Sequence, residues 1–206
     1  MSTTILASSK AQLDGLQAPS TRSQPTAPAY SLKQNDLQDI IEYGNSSFGQ
    51  ISTFSRVDCP RGAHLCYITT HSIAPRKTWF TIQISQSQHA EFNSALVYLN
   101  HSCAPTAEIE IFSPTNKGEE FAKGIMGEVR VARDRDLKAG EELTWFYPST
   151  EWICASPFQC LCKADDRGCV GWLKGAKHLS DERLDMYFIN KHVLELAAES
   201  GPFKDE

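Results

Sequence analysis

Long hydrophobic runs are absent from this chain of 206 residues, and no apolar segment approaches the ~20 residues that a helix needs to cross a bilayer. We therefore expect no membrane span. Blocks of Lys and Arg are also missing, and a net charge of -5 gives no electrostatic attraction to a phosphate backbone. This absence predicts that the protein makes no direct contact with nucleic acid.

The start of the chain lacks the charged-then-apolar pattern of a secretory signal, which predicts an intracellular protein in the cytoplasm or the nucleus. Cysteine, in contrast, is well represented. There are seven cysteines, an odd number, and Cys160, Cys162 and Cys169 lie close together. This crowding favours metal ligation over a disulfide framework. Structural zinc requires four ligands, so a fourth ligand must come from elsewhere in the chain.

The length fits one ordinary domain with a tail, and 41% hydrophobic with 22% charged residues is typical of a globular protein. Residues 1–29 are rich in Ser, Thr, Gln, Ala and Pro, and we interpret them as a disordered leader. Beyond them, aromatic and β-branched runs alternate with turns that contain Gly or Pro. The pattern predicts a mostly β body with strands in residues 65–70, 79–84, 109–112, 128–132 and 142–146.

Helices are expected only near the two ends of this body. Residues 32–43 fit either a short helix or an edge strand. Near the C-terminus, Ser180 is suited to cap a helix. The apolar face predicted for that helix is formed by Met186, Ile189, Val193, Leu196 and Ala197.

Three sequence motifs follow one another in the order typical of one known family. They are the string Asn-His-Ser-Cys at residues 100–103, the string Glu-Glu-Leu-Thr-Trp-Phe-Tyr at residues 141–147, and the cysteine cluster at 160–169. Together they resemble a SET domain with its post-SET zinc tail. The resemblance implies an α+β fold that is mostly β with short helices: a β-clip of small sheets, a knot-like C-terminal crossing and a C-terminal helix. It divides the chain into a SET domain at 30–152, a post-SET tail at 153–176, and a helix with its tail at 177–206.

The resemblance also implies a function, namely transfer of a methyl group from S-adenosylmethionine to a lysine of a protein. Tyr147 corresponds to the family's catalytic tyrosine, and Trp145 and Phe146 are expected to line the substrate channel. The implied zinc ligands are Cys103, Cys160, Cys162 and Cys169, with Cys154 as an alternative fourth ligand. The implied cofactor-binding residues are Gly49, Tyr98, Asn100, His101, Phe158 and Trp172.

This chain departs from the family pattern in three places. Ile51 replaces the second glycine of a Gly-x-Gly loop, Trp145 stands where Phe or Tyr is usual, and the segment between Gln83 and Asn93 is short for a peptide-binding groove. These departures keep two alternatives open. One is a SET scaffold that acts on a small molecule in a biosynthetic pathway, by methyl transfer or by cofactor-independent cyclisation. The other is a catalytically silent binding module.

Overall fold

The computed structural model describes residues 37–45, 50–162, 164 and 168–200. The predicted leader at 1–29 and the last six residues of the predicted tail lie outside these ranges. The strands are β1 (Ile41–Asn45), β2 (Ile51–Ser55), β3 (His64–Ile68), β4 (His71–Ile73), β5 (Thr81–Gln83), β6 (His89–Phe92), β7 (Asn100–His101), β8 (Ala107–Ile111), β9 (Gly127–Val131), β10 (Glu142–Trp145), β11 (Phe158–Gln159) and β12 (Trp172–Leu173). The α-helices are α1 (Leu37–Ile40), α2 (Gly118–Ala122), α3 (Asp181–Leu184) and α4 (Lys191–Ser200), and 3-10 turns cover Ala95–Tyr98, Tyr147–Ser149 and Ala176–His178.

The strands form four small sheets, with strand orders β1-β2-β10-β7, β3-β9-β8, β4-β6-β5 and β11-β12. All of the pairs are antiparallel except β7 with β10, which run parallel. The prediction of a mostly β fold with short helices is confirmed. None of the helices in the described part of the chain is long and apolar enough to cross a membrane.

The pairing of β8 with β9 shows how residue alternation creates the core. Every second residue of both strands is buried, so that Ile109 and Val129 face inward while the residues between them point to the other face. On that outer face the guanidinium of Arg130 lies between the carboxylates of Glu108 and Glu110, at nitrogen-to-oxygen distances of 2.9 and 2.6 Å. The inward face belongs to the main core cluster, which includes Leu37, Ile68, Leu96, Leu99, Leu137, Leu143 and Trp145.

The C-terminal segment packs on a second apolar cluster, formed by Phe146, Trp152, Ala176, Leu184 and Val193. Ser180 caps a helix as predicted, its Oγ accepting from the backbone N–H of Arg183 at 3.3 Å.

The prediction of one continuous helix after Ser180 is wrong, because α3 ends at Leu184 and α4 begins at Lys191. Two side chains hold the intervening residues out of a helix. The Tyr187 ring stacks on Phe146 with centroids 3.6 Å apart. The Asn190 side chain bonds to the backbone of Ile109 and Ile111 at 2.8 Å each. As a result, Met186 is exposed rather than part of a buried helical face.

The predicted strand at 79–84 is shorter than expected, since only Thr81–Gln83 is extended. Trp79 and Phe80 lie before it and stack on each other, with Trp79 largely exposed. The segment predicted as a short helix or an edge strand contains both in succession, as α1 followed by β1.

Gly127 gives a direct test of the β8–β9 register. A Cβ atom at this position would clash with the carbonyl oxygen of Glu110, a backbone atom that cannot rotate away. We expect Gly127→Ala to lower the free energy of unfolding by about 1–3 kcal/mol, the usual cost of overpacking. Urea unfolding followed by circular dichroism measures the change. Gly118→Ala is the matched control, because no atom lies within 4 Å of its Cβ position; equal destabilisation by both changes would contradict the register.

Candidate active site and metal centre

The parallel pairing of β7 with β10 brings two of the three sequence motifs together. Asn100 is opposite Thr144 and His101 is opposite Trp145, and the backbone N–H of Ser102 donates to the Trp145 carbonyl at 3.0 Å. Tyr147 is two residues beyond the end of β10, at the start of a 3-10 turn. The candidate catalytic residue therefore lies beside the Asn-His string, as the motif order predicts.

Two hydrogen bonds fix the position of Tyr147. Its hydroxyl donates to the carbonyl oxygen of Leu99 at 3.1 Å, and its backbone N–H donates to Nδ1 of His101 at 3.2 Å. Burial raises the pKa of the phenol well above its usual range, with smaller contributions from nearby negative charges. The tyrosine is thus a neutral, oriented phenol at physiological pH.

His101 links this phenol to the cysteine cluster. Burial lowers the pKa of its imidazole to about 3, so that the ring is neutral. Because Nδ1 accepts from the backbone of Tyr147, the ring proton belongs on Nε2, which lies 3.4 Å from Sγ of Cys103. One ring therefore contacts both the strand that carries the tyrosine and a candidate metal ligand.

The structure brings together the four cysteines that the sequence predicts as zinc ligands. The Sγ atoms of Cys103, Cys160, Cys162 and Cys169 all lie within 4.8 Å of one another. Two of the separations are 3.9 Å, from Cys103 to Cys160, and 3.8 Å, from Cys162 to Cys169. A tetrahedral site with Zn–S bonds of ~2.3 Å has edges of ~3.8 Å, so this donor set fits zinc. Cys154, the alternative fourth ligand, is not in the group.

Backbone amides surround the sulfurs of this cluster. The N–H groups of Cys103, Val170 and Gly171 donate to Sγ of Cys162, Cys103 and Cys169 respectively, each at 3.4 Å. Such donors stabilise thiolate charge and orient metal ligands. The cluster therefore has the outer hydrogen bonds expected of a structural metal centre.

Aromatic rings enclose the Tyr147 side chain. The centroids of Trp145 and Phe158 lie 4.8 and 6.1 Å from that of Tyr147, and Phe158 also lies 6.2 Å from His101. We call the group formed by the rings of Trp145, Tyr147 and Phe158 the aromatic chamber. The Trp145 ring is buried, and its Nε1–H has no hydrogen-bond partner in the described part of the chain.

Some of the predicted cofactor residues lie beside Tyr147, and others lie elsewhere. His101 and Phe158 lie next to Tyr147, and Trp172 is exposed on β12 beside β11. The side-chain amide of Asn100 bonds within the protein, to Ser52 Oγ at 2.5 Å among others, and so ties β7 to β2. Tyr98 contacts the ring of Tyr43 at 6.0 Å. Gly49 lies outside the described residues.

Phe146 does not join the chamber. Its ring stacks on Tyr187 in the second apolar cluster, because adjacent residues of an extended strand point in opposite directions. The structure thus separates Phe146 from Trp145 and Tyr147, with which the sequence analysis grouped it as a channel residue.

A buried polar group beyond Tyr147 escaped the sequence analysis. Oε1 of Glu151 accepts from the backbone N–H of Gln83 at 2.6 Å, and Oε1 of Gln83 accepts from the backbone N–H of Trp152 at 3.0 Å. Nε2 of His89 lies 3.9 Å from Oε2 of Glu151. The sequence could have indicated Glu151 only through its position four residues after Tyr147. Gln83 and His89 contact Glu151 because the folded β5–β6 hairpin brings them there.

Comparison with known proteins supports the family resemblance. A family model described as the SET domain matches residues 10–148. A curated relative, methyltransferase flvH of Aspergillus flavus, is 40% identical over 147 residues, which is 71% of this chain and 74% of the relative.

Two solved structures are also similar in part. A candidate histone methyltransferase of Plasmodium falciparum matches 52% of this chain and 92% of its own with a TM-score of 0.39 and 16% identity. KRYPTONITE, in complex with mCHG DNA and SAH, matches 64% of this chain and 28% of its own with a TM-score of 0.47 and 17% identity. From the family match and the flvH relative, we conclude that this chain belongs to the SET-domain family.

Proposed function

We propose that the protein transfers a methyl group from S-adenosylmethionine to an amine nitrogen that enters the aromatic chamber. The observation that carries this proposal is the neutral phenol of Tyr147, fixed by Leu99 and His101 at the wall of that chamber. S-adenosylmethionine, when bound, supplies an electrophilic methyl group. The protein has to orient the amine, exclude water and accept weak hydrogen bonds from a carbon that carries partial positive charge.

Tyr147 is suited to this acceptor role. Its only hydroxyl proton is donated to the Leu99 carbonyl, so the oxygen lone pairs are left to accept C–H···O contacts. Its raised pKa keeps the phenol protonated and the hydrogen bond to Leu99 intact. A fixed, uncharged oxygen of this kind needs little reorganisation during methyl transfer.

The residues that would hold the cofactor lie around the Asn-His string and the cysteine-rich tail. Phe158 and Trp172 each expose an aromatic ring on the paired strands β11 and β12, at 36% and 52% of full exposure. An exposed aromatic face attracts cations and stacks on flat rings, so Phe158, beside Tyr147, suits a ligand that combines a sulfonium with an adenine. Trp172 is on the opposite face of the β11–β12 ribbon, because it pairs with Gln159 and not with Phe158. His101 borders the same region through its contact with Phe158.

The first candidate substrate is a lysine side chain of a protein. Its methylene chain would pack against the apolar rings of Trp145 and Tyr147, which suits an unbranched aliphatic segment. The net charge of -5 also favours association with a basic protein segment.

The second candidate is a small-molecule amine, favoured by the indole of Trp145. A buried N–H without a partner costs about 1–3 kcal/mol, and a lysine methylene chain has no acceptor to offer it. A small amine with a nearby carboxylate or carbonyl would supply one. The turn between Gln83 and His89 is also short, which leaves little chain to form a peptide groove.

Removing the hydroxyl of Tyr147 tests the methyl-transfer proposal. The change Tyr147→Phe removes a C–H···O acceptor and the bond to Leu99, together worth about 2 kcal/mol, so kcat should fall roughly thirtyfold. Formation of S-adenosylhomocysteine from S-adenosylmethionine, with free L-lysine, n-butylamine and a lysine-containing peptide as amine probes, measures the effect. Tyr43→Phe, at an exposed ring, is the control. Unchanged turnover in Tyr147→Phe would exclude the proposed role.

Replacing the indole of Trp145 separates the two substrate classes. We expect Trp145→Phe to raise KM about tenfold for amines that carry a carboxylate or carbonyl, because one hydrogen bond of about 1.4 kcal/mol is lost. For n-butylamine, which has no acceptor, KM should change little. If Trp145→Phe changes KM equally little for amines with and without a carboxylate or carbonyl, and the peptide is turned over efficiently, a protein lysine is favoured as the substrate.

We also propose that the four-cysteine cluster holds one structural zinc ion. Cys103→Ser and Cys169→Ser should each lose the metal, whereas Cys154→Ser should retain one zinc per chain, as measured by elemental analysis of the purified proteins. A chelator should lower the unfolding temperature of the wild-type protein, since binding of a metal to the folded state stabilises that state. Loss of zinc from Cys154→Ser but not from Cys103→Ser would assign the fourth ligand to Cys154.

A further inference from the structure

Glu151 follows the short 3-10 turn Tyr147–Ser149, and its backbone is bonded to that of Tyr147. The carbonyl of Tyr147 accepts from the backbone N–H groups of Thr150 at 3.0 Å and of Glu151 at 2.9 Å. Burial is the main reason that the pKa of Tyr147 is raised, and the neighbouring acidic groups Cys154 and Glu151 raise it further. The Glu151 carboxylate therefore acts electrostatically on the candidate catalytic phenol.

The carboxylate of Glu151 has one oxygen that is not engaged by the protein. Glu151 is only 7% exposed, and Oε1 accepts from the backbone of Gln83. The Oε2 atom faces Nε2 of His89 at 3.9 Å, which is too long for a direct hydrogen bond. Nε2 of His89 is itself buried and unpartnered within the described ranges. A ligand group that carries N–H bonds could therefore donate to both Oε2 of Glu151 and Nε2 of His89.

The surroundings of Glu151 and His89 favour proton uptake by the Glu151 carboxylate over a fixed ion pair between the two side chains. Burial raises the pKa of Glu151 to about 7, a value that suits a general base near neutral pH. Burial, helped by the positive charge of Lys77 and by His192, lowers the pKa of His89 to about 4, so this imidazole is neutral. His192 bonds through Nε2 to the Thr150 carbonyl at 2.9 Å, and burial lowers its pKa too. Burial also raises the pKa of Cys154, so that this thiol adds no charge.

We propose that Glu151, positioned beside His89, accepts the proton that a substrate ammonium must lose before it can be methylated. An N–H bond of the ammonium breaks and the proton moves to Oε2 of Glu151, which frees the nitrogen lone pair. That lone pair forms the new N–C bond while the C–S bond to the methyl carbon breaks, leaving a neutral sulfide and a methylated ammonium. Glu151 then returns its proton to solvent. This assignment rests on the proposed amine methylation.

The test is the change Glu151→Gln, which keeps an oxygen to accept from the Gln83 backbone but cannot take up a proton. The pH dependence of kcat/KM is measured for the amine that the wild-type protein turns over fastest. General-base catalysis is typically worth 10²–10⁴-fold. We expect a loss of about 100-fold at pH 7 that shrinks toward pH 10, where the free amine is abundant without a base.

A matched variant distinguishes this role from a structural one. Gln83→Ala removes the bond to the Trp152 backbone but leaves both the carboxylate and the Gln83 N–H in place. Its deficit should be independent of pH. A deficit of Glu151→Gln that is equally independent of pH, or full activity of that variant, would overturn the assignment while leaving amine methylation intact.

Calorimetry gives a second readout that needs no turnover. The binding of n-butylamine to the full chain with S-adenosylhomocysteine is measured in two buffers of different ionisation enthalpy at about pH 8.5, where Glu151 is ionised and the amine is still an ammonium ion. We expect no net proton release from the wild-type protein, and about one proton released per amine, or at least tenfold weaker binding, in Glu151→Gln. Identical affinity and proton release in both proteins would overturn the role of Glu151. An absence of amine binding to the wild-type protein would overturn the proposed function as well.

Discussion

The parallel pairing of β7 with β10 is the constraint on which the rest of the site depends. It joins segments more than 40 residues apart in the sequence and places Tyr147 next to His101. Since the imidazole of His101 contacts both the Tyr147 backbone and the Cys103 sulfur, a movement of either strand would disturb the phenol and the cysteine cluster together. Closing such a long loop is entropically costly, and the buried residues around Leu143 and Leu99 supply the compensating apolar contacts.

The cysteine cluster extends this constraint to the tail of the chain. The strands β11 and β12 have only two residues each, and so short a ribbon is not stable by itself in water. The cluster links Cys103, at the end of the Asn-His string, to three cysteines of this tail. A bound metal would hold the tail, including Phe158, against Tyr147. Such binding would couple metal affinity to the position of Phe158 in the aromatic chamber.

Residue patterns predicted those parts of the structure that depend on residues close together in the sequence. The alternation in β8 and β9 and the order of the three motifs were sufficient for the fold class and for the position of Tyr147. The same alternation, applied to β10, would have separated Phe146 from Trp145. The break between α3 and α4 was not predictable, since it depends on long-range bonds from Asn190. The contact of Glu151 with the β5–β6 hairpin is equally long-range, so a sequence motif could not reveal it.

The proposed methylation of an amine requires different protonation states of Tyr147 and Glu151. Tyr147 has to remain protonated to keep its bond to Leu99, whereas Glu151 has to be ionised to accept a proton, and burial raises the pKa of both. Because the usual pKa of a carboxyl group is far below that of a phenol, Glu151 still loses its proton near neutral pH while Tyr147 stays protonated. Each added methyl group leaves a cationic nitrogen, so another transfer requires Glu151 to lose its proton first. The number of methyl groups added then depends both on the space beside Trp145 and on how readily Glu151 is deprotonated.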